Sequence, residues 1–577
     1  MDAARYVVDA LERGGVRHVV VAPGSRSAPL VYALAEAEAD GRLSVQVRID
    51  ERVAGFTALG LAQGSGRPAA VLTTSGTAVG NLMPAVMEAN HSGTPLLVLS
   101  ADRPAELRGT GANQTTMQMD LFGDHVRFAT DVAAGTDPSS AVATAVSAAT
   151  GRLQGIAAGP VQVNLAFRDP LTPALDGSEW ERLLPVVDPQ ALPGLASSAG
   201  APRARGPQET SETTWPATAL PSTSHRTVVL AGHGAGPEAE HFARTLGLPL
   251  LAEPSSNARF GPNAVGPYRL LLDRFGPDSG QGIERVVVFG RPTLSRPVSR
   301  LLARTDLERA LYVPEPVSWF EAGHRTELVL TQWEQLVGFA GHGPAGWLEA
   351  WQEAAAAAEN ALDEVLGHSA VQGTLTGPEV ARIVWGRAQG DHGSNLVLGS
   401  SNPIRDVDLA GRPVPAGSEN AARVFANRGL AGIDGTVATA TGIALATGAP
   451  TRVLLGDVTL LHDSGALLLG NGEAESDVQI TVLNDGGGGI FSVLEHGRLA
   501  EAPNYVAAVE RFFGTPHSVD LAALAAAFGW QHVLVRTAAE LAAALAPAVA
   551  GRRIIEVAAS RADLRGLHAR IRSAMQP

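Results

Sequence analysis

Short β-branched runs alternate with Ala-rich stretches of helical period through the opening third of the chain. Residues 18–22, 69–73, 95–100 and 161–164 form the runs, each bounded by Gly, Pro or polar residues. Apolar runs of that length predict strands of a parallel sheet covered by helices on both faces. Residues 3–13 read as an amphipathic helix, and a helix over 54–62 follows a strand and the turn Ile49-Asp50-Glu51-Arg52. The same alternation returns twice. Strands over 226–231 and 285–289 precede an Ala-rich helix around 351–366, and strands over 395–398, 451–455, 479–484 and 552–558 follow it.

The pattern predicts an α/β fold of three consecutive doubly wound parallel-sheet domains, over residues 1–185, 226–370 and 371–577. Residues 186–225, rich in Pro, Ala, Ser and Thr without apolar period, read as a linker. No short repeat is visible. Gly232-His233-Gly234-Ala235-Gly236 after a strand superficially matches a dinucleotide fingerprint, but its third glycine is misplaced and Pro237 follows at once, so a tight turn into a helix is expected.

Composition narrows the chemistry. With 577 residues and 45% hydrophobic content, the chain is long enough for about three cores. Its formal net charge of −14 argues against nucleic acid or an anionic membrane as general partner. An anionic substrate then needs arginines gathered locally. There is no Cys, which removes thiol catalysis, disulfides and thiolate metal sites. All 44 basic residues are Arg, so Schiff-base lysines, a pyridoxal-phosphate anchor and a P-loop lysine are excluded as well. The N-terminal stretch lacks the basic start and apolar run of a signal peptide, which fits a cytoplasmic protein. Residues 437–451 are weakly polar but interrupted by Gly and Thr, as in a helix packed on a sheet.

The strongest chemical signal is Gly456-Asp457 at the end of an apolar strand, with Asn484-Asp485 ending another 28 residues on. Two carboxylates at strand ends, with a backbone carbonyl such as that of Gly487, suit a hard octahedral cation that keeps phosphate and water in its shell. The run Gly486-Gly487-Gly488-Gly489 is expected to leave N–H groups free for a diphosphate.

This Gly-Asp…Asn pattern resembles the thiamine-diphosphate motif of pyruvate-oxidase-like enzymes, whose pyrimidine-binding, central and diphosphate-binding α/β domains come in the order read above. The resemblance implies a cofactor, thiamine diphosphate, held through Mg²⁺ or Mn²⁺ by Asp457, Asp485 and Gly487, beside Gly456, Gly486, Gly488, Ile490 and Ser400. It also implies Glu51 as the acid that activates the aminopyrimidine, near Gly76 and Thr77, with Ile433 bending the cofactor into a V. Glu51 is expected in an enclosed, apolar place where a carboxyl can share a proton. One departure is plain: the general motif has Asn at the second metal position, where this chain has Asp485, and Gly486 stands where a polar side chain is common.

Further segments narrow the resemblance: Ala22-Pro23-Gly24-Ser25-Arg26-Ser27, Thr74-Ser75-Gly76-Thr77, Ala101-Asp102-Arg103-Pro104, Gly111-Ala112-Asn113-Gln114 and Asn427-Arg428-Gly429. Together they look like the 2-succinyl-5-enolpyruvyl-6-hydroxy-3-cyclohexene-1-carboxylate synthase family of menaquinone biosynthesis. That family decarboxylates 2-oxoglutarate and adds the resulting carbanion-enamine to isochorismate by conjugate addition. Both substrates are dicarboxylates, and guanidinium forks bind carboxylates. The resemblance assigns the succinyl part to Ser401, Arg405 and Arg428, and isochorismate to Ser25, Arg26, Arg103, Asn113 and Gln114. Gln114 and Arg428 join Glu51 as catalytic candidates, and Arg296 is the central domain's expected contribution. Ile490, Phe491 and Leu494 are the expected apolar wall against water. A homodimer or homotetramer with active sites at the subunit interface is also implied.

Three alternatives are weighed, one of them a catalytically silent binding or scaffold protein of the same fold, against which the intact constellation argues. Another thiamine-diphosphate 2-oxoacid decarboxylase or acetolactate-synthase-like carboligase has less need of Arg26 and Arg103. A nucleotide-binding oxidoreductase built on the Gly232 region leaves Glu51, Asp457 and Asp485 unexplained.

Overall fold

Seventeen strands, all parallel, form three sheets among the residues that the computed structural model describes, namely 2–173, 221–321, 323–371, 375–415 and 421–575. The first sheet holds β1 (His18–Val21), β2 (Ser44–Val47), β3 (Ala69–Thr73), β4 (Leu96–Asp102), β5 (Ala129–Val132) and β6 (Val161–Ala166) in the order β2-β1-β3-β4-β6-β5. Its middle strands β3, β4 and β6 are buried at every position, as near-continuous apolar runs dictate under helices on both faces. The second sheet is built from β7 (Thr227–Ala231), β8 (Leu250–Ala252), β9 (Arg285–Phe289), β10 (Glu308–Tyr312) and β11 (Leu328–Leu330), ordered β11-β10-β9-β7-β8. The third contains β12 (Asn395–Leu398), β13 (Arg423–Phe425), β14 (Thr451–Gly456), β15 (Val478–Asn484), β16 (Gln531–Val535) and β17 (Arg552–Ala558), ordered β13-β12-β14-β15-β17-β16.

The first and third sheets therefore share one strand order, a repetition of topology without a visible repeat of sequence. Most of the segment read as a linker lies outside the described residues. Its last part does not: Ser224 already pairs with His342 of the central unit.

Two helices join the outer units. The first, Glu51–Ser65, starts on Asp50, whose carboxylate accepts the N–H of Arg52, and stops at Gly66 in the left-handed region. The second, Thr436–Thr447, lies against it so closely that a Cβ on Gly60 would stand 2.1 Å from the Thr439 carbonyl oxygen, and one on Gly442 would stand 2.2 Å from that of Thr57. One apolar core accordingly runs from Val20 and Phe56 through Ile443 to Val453 and Ile480. No helix among the described residues is long and apolar enough to cross a membrane.

Candidate active site

Chemistry collects at the carboxyl ends of the strands, where an open α/β sheet leaves its crevice. In the first unit, β3 runs into Ser75-Gly76 and β4 into Arg103. Nη1 of Arg103 donates to Ser75 Oγ at 2.6 Å and to the Gln114 carbonyl at 3.0 Å. Gln114 takes a left-handed backbone, φ 59°, and its amide donates to the Ser75 carbonyl at 2.8 Å. Gly76 N–H is held by Gln118 at 2.8 Å, and Thr77 opens the short helix after it. Arg26 donates to the Phe167 carbonyl at 3.0 Å, while its Nε is buried without a partner. Burial, and then the charge of Arg26, lower the proton affinity of Arg103, so the two cations share one place. Ser25, Asn113 and Gln114 are exposed at its rim.

Glu51 is the first residue of its helix, partly exposed, and accepts a hydrogen bond from Asn81 at 2.9 Å. The enclosed apolar setting expected for it is not formed by this chain's own residues.

In the third unit Ser401 has φ 74° and caps the helix Asn402–Ala410, with Ser400 buried before it. Arg405, one turn on, donates to the Ser401 carbonyl at 2.6 Å. Arg428, on the loop after β13, is buried, and its Nη2 donates to Thr293 Oγ1 at 2.9 Å. Its Nε and Nη1 are buried without partners. Burial first, then Arg428, lower the proton affinity of Arg405, which marks a second pair of neighbouring cations.

Asp457 and Asp485 end the adjacent strands β14 and β15. Asp457 is buried, and one of its oxygens accepts the Gly487 N–H at 2.9 Å and lies 3.0 Å from Nε2 of His517. Burial, and then the charge of Asp457, push the Asp485 carboxyl up to about 7. Two acids at adjacent strand ends, the charge of one raising the other, fit a site for a divalent cation. No group of three or more His, Cys, Asp or Glu able to hold a metal occurs among the described residues. The glycine run is required by close packing within the chain: a Cβ on Gly487 would stand 2.1 Å from the Gly514 carbonyl, and one on Gly489 2.4 Å from Asp485 Oδ2.

One expectation needs correction. The N–H groups of the glycine run are not free: Gly486 donates to Asn484 Oδ1, Gly487 to Asp457, Gly488 to the Gly514 carbonyl and Gly489 to the Gly487 carbonyl. The turn closes on itself and on the segment ending at Gly514. Arg296 is a surface side chain in an ion pair of 2.7 Å with Glu495, beyond the helix Ile490–Val493. Ile490, Phe491 and Leu494 are part-buried, and Phe491 packs on His496 and Phe513. Ile433 is part-buried on the loop leading to the helix Thr436–Thr447. The Gly232 region is a turn: a Cβ there would stand 2.1 Å from Pro292 N, and the helix Glu238–Leu246 begins after Pro237.

Sequence reasoning missed His517, Thr293 and Glu88. The last accepts the N–H groups of Gly429 and Leu430 at 2.6 and 2.7 Å. None of the three sits in a strand-end motif, so spacing gave no signal for them. Among the described residues, no hydrogen bond or ion pair links Glu51, Arg26, Arg103 or Gln114 to Asp457, Asp485, Arg405 or Arg428.

Comparison with known proteins bears on these clusters. Residues 1–123 match the thiamine pyrophosphate enzyme N-terminal TPP binding domain, and residues 416–557 the corresponding C-terminal TPP binding domain. A 2-succinyl-5-enolpyruvyl-6-hydroxy-3-cyclohexene-1-carboxylate synthase of Renibacterium salmoninarum is 60% identical, over 100% of this chain and 97% of its own length. Synthases of the same name from an Arthrobacter species and from Kineococcus radiotolerans are 61% and 47% identical, over 100% and 99% of this chain and 92% and 98% of their own lengths. Among solved structures, benzoylformate decarboxylase from Polynucleobacter necessarius superposes with a TM-score of 0.64 at 16% identity, covering 97% of this chain and 98% of that one. A likeness at that identity concerns the fold alone.

Proposed function

The chain belongs to the 2-succinyl-5-enolpyruvyl-6-hydroxy-3-cyclohexene-1-carboxylate synthase family, and from that premise we propose how its residues divide a reaction between two substrates. It is a thiamine-diphosphate-dependent transferase of menaquinone biosynthesis, working with a divalent cation. Decarboxylation of 2-oxoglutarate leaves a four-carbon unit that adds to isochorismate at its conjugated position, with release of CO₂. The cofactor, when bound, supplies the carbon nucleophile and the electron sink for loss of CO₂.

Asp457 and Asp485, with the Gly487 carbonyl, would hold magnesium or manganese, and Gly456, Gly486, Gly488, Ile490 and Ser400 would surround the diphosphate. Ile433 would support the ring junction. Glu51, with Gly76 and Thr77 nearby, would exchange a proton at N1′ of the pyrimidine. Ser401, Arg405 and Arg428 take 2-oxoglutarate. Ser25, Arg26, Arg103, Asn113 and Gln114 take isochorismate, while Phe491 and Leu494 keep water from the reacting carbon. The observation that carries this reading is the presence of two separate pairs of neighbouring arginines, each with buried, unpartnered donors: Arg26 Nε in one, Arg428 Nε and Nη1 in the other. Two dicarboxylates handled in turn call for two such places.

The first-unit and third-unit clusters are assigned to different chains of a homo-oligomer, so that each site takes Glu51 from one subunit and Asp457 from another. Exposed apolar residues beside the first-unit cluster, Ile49 at 70% and Met117 at 80%, support an interface there. The cytoplasmic location expected from the sequence is retained and is checked by cell fractionation.

Purified protein with thiamine diphosphate, Mg²⁺ and 2-oxoglutarate, with and without isochorismate, tests the assignment by loss of isochorismate absorbance and by product mass. Turnover of 2-oxoglutarate with isochorismate left intact overturns it. Mixing Glu51→Gln with Asp457→Ala protein tests the shared site, because a hetero-oligomer regains one intact site and activity returns. A mixture as dead as its parts, after proven subunit exchange, overturns that assignment.

A further inference from the structure

Arg428 is flanked by a buried acid for which the reaction as assigned has no use. Glu253 follows β8 and is 1% exposed. Its Oε1 accepts the Leu294 N–H at 3.0 Å, and its Oε2 is buried without a partner. Thr293, the preceding residue, is what Arg428 grips through Nη2. Glu253 and Arg428 thus hold one dipeptide, Thr293-Leu294, from the central and third units, while Arg428 Nε and Nη1 are left for an anion.

The charges around Glu253 are unequal. Asp408, on the helix Asn402–Ala410, repels it, and Arg428 attracts it. Asp408 is well compensated, by the Tyr268 hydroxyl at 2.8 Å and by Arg259 and Arg269 at 3.7 and 3.6 Å. His233, near Arg428, is pushed down to about 4 by burial first and Arg428 second, so it adds no cation. Burial, and then Asp408, push the Glu253 carboxyl up to about 8. At neutral pH Glu253 is therefore mainly protonated and offsets little of the Arg428 charge, which leaves Glu88, bound to the next two backbone N–H groups, as the other acid acting on it.

We propose that Glu253 is a positioning residue for 2-oxoglutarate: as a neutral acid it fixes Thr293-Leu294 against Arg428, and substrate binding is coupled to its protonation. The inference rests on the assignment of Arg428 to a carboxylate of 2-oxoglutarate. An ionised Glu253 competes with the substrate carboxylate for the same guanidinium. A bound carboxylate in turn offsets the pull of Arg428 and raises the proton affinity of Glu253 further. Affinity is then full well below pH 8 and falls as pH rises through the Glu253 titration.

The test is the pH dependence of KM and kcat for 2-oxoglutarate in the holoenzyme, for wild type, Glu253→Gln and Arg428→Gln. Wild-type KM should rise roughly five- to tenfold from pH 7 to 9.5, the effect of a coupling near one pKa unit, with kcat changing less. Glu253→Gln keeps an acceptor for Leu294 and cannot ionise, so its KM should stay flat within about twofold. A Glu253→Gln profile that climbs like wild type overturns the proposal. An Arg428→Gln variant with unchanged KM at neutral pH overturns instead the assignment of Arg428 on which it stands. A second readout needs no variant: glutarate binding near pH 8, followed by calorimetry in two buffers of different ionisation enthalpy, should take up protons, and binding without uptake refutes the coupling.

Discussion

Glu88 and Gly429 are joined across two domains by a hydrogen bond of 2.6 Å from the Gly429 N–H, and the second oxygen of Glu88 takes the Leu430 N–H at 2.7 Å. The loop that presents Arg428 is thereby held from the first unit, while Arg291 holds the Gly429 carbonyl at 2.6 Å from the central one. Removing the carboxylate leaves two donors unmet and lets the loop move. Glu88→Ala should lower kcat/KM for 2-oxoglutarate by roughly 10- to 150-fold, the worth of one charge-assisted hydrogen bond of about 1.5 to 3 kcal/mol. Steady-state kinetics with each substrate varied in turn decides it, and an unchanged kcat/KM rejects the role.

Cofactor retention should depend on the cation and on Asp457. Asp457→Ala, or chelation of the metal, should abolish thiamine-diphosphate binding in calorimetry. His517 engages Asp457 in this structure. His517→Ala should consequently tighten Mg²⁺ binding by roughly tenfold, because the metal no longer displaces a hydrogen bond to a carboxylate. Tight cofactor binding in the presence of chelator defeats the metal assignment.

An amide cannot exchange the proton at N1′. Glu51→Gln should keep the fold and much of the cofactor affinity while losing on the order of 10²- to 10⁴-fold in rate, as general acid–base assistance is worth that much. NMR of proton exchange at thiazolium C2 is the direct measurement; equal exchange in variant and wild type removes Glu51 as activator.

The two arginine pairs should fail separately. Arg405→Ala should impair decarboxylation of 2-oxoglutarate alone, whereas Arg103→Ala should spare it and weaken addition to isochorismate, each by roughly 10- to 150-fold. Stopped-flow single-turnover decarboxylation set beside steady-state turnover separates them. Equal damage to both steps in both variants contradicts the division.

What the sequence disclosed follows from burial. Strands such as Asn395–Leu398, Arg285–Phe289 and Arg552–Ala558 were legible to the residue, because interior strands of a covered parallel sheet are nearly unbroken apolar runs. The six strands at the sheet edges, β2, β5, β8, β11, β13 and β16, and the interior strand β10, which opens on Glu308 and Arg309, gave no defined run, and only the one before Ile49 was inferred, from its place ahead of a helix. Edges such as β2 and β16 bury only one position each, and β13 is three residues long, so the apolar signal is diluted. In the site, residues on strand ends were visible through their glycines and paired acids. Glu88, Glu253, Thr293 and His517 were not, since each reaches the site from elsewhere in the chain and sequence separation carries no trace of that approach.

The crossing of Glu51–Ser65 with Thr436–Thr447 has a mechanical meaning. Backbone rests on backbone at Gly60 and Gly442, with no layer of side chains to shear or rotate, so the outer thirds of the chain behave as a single stiff frame. Sliding one past the other would drive main-chain atoms into one another. The frame sets the spacing of the outer units.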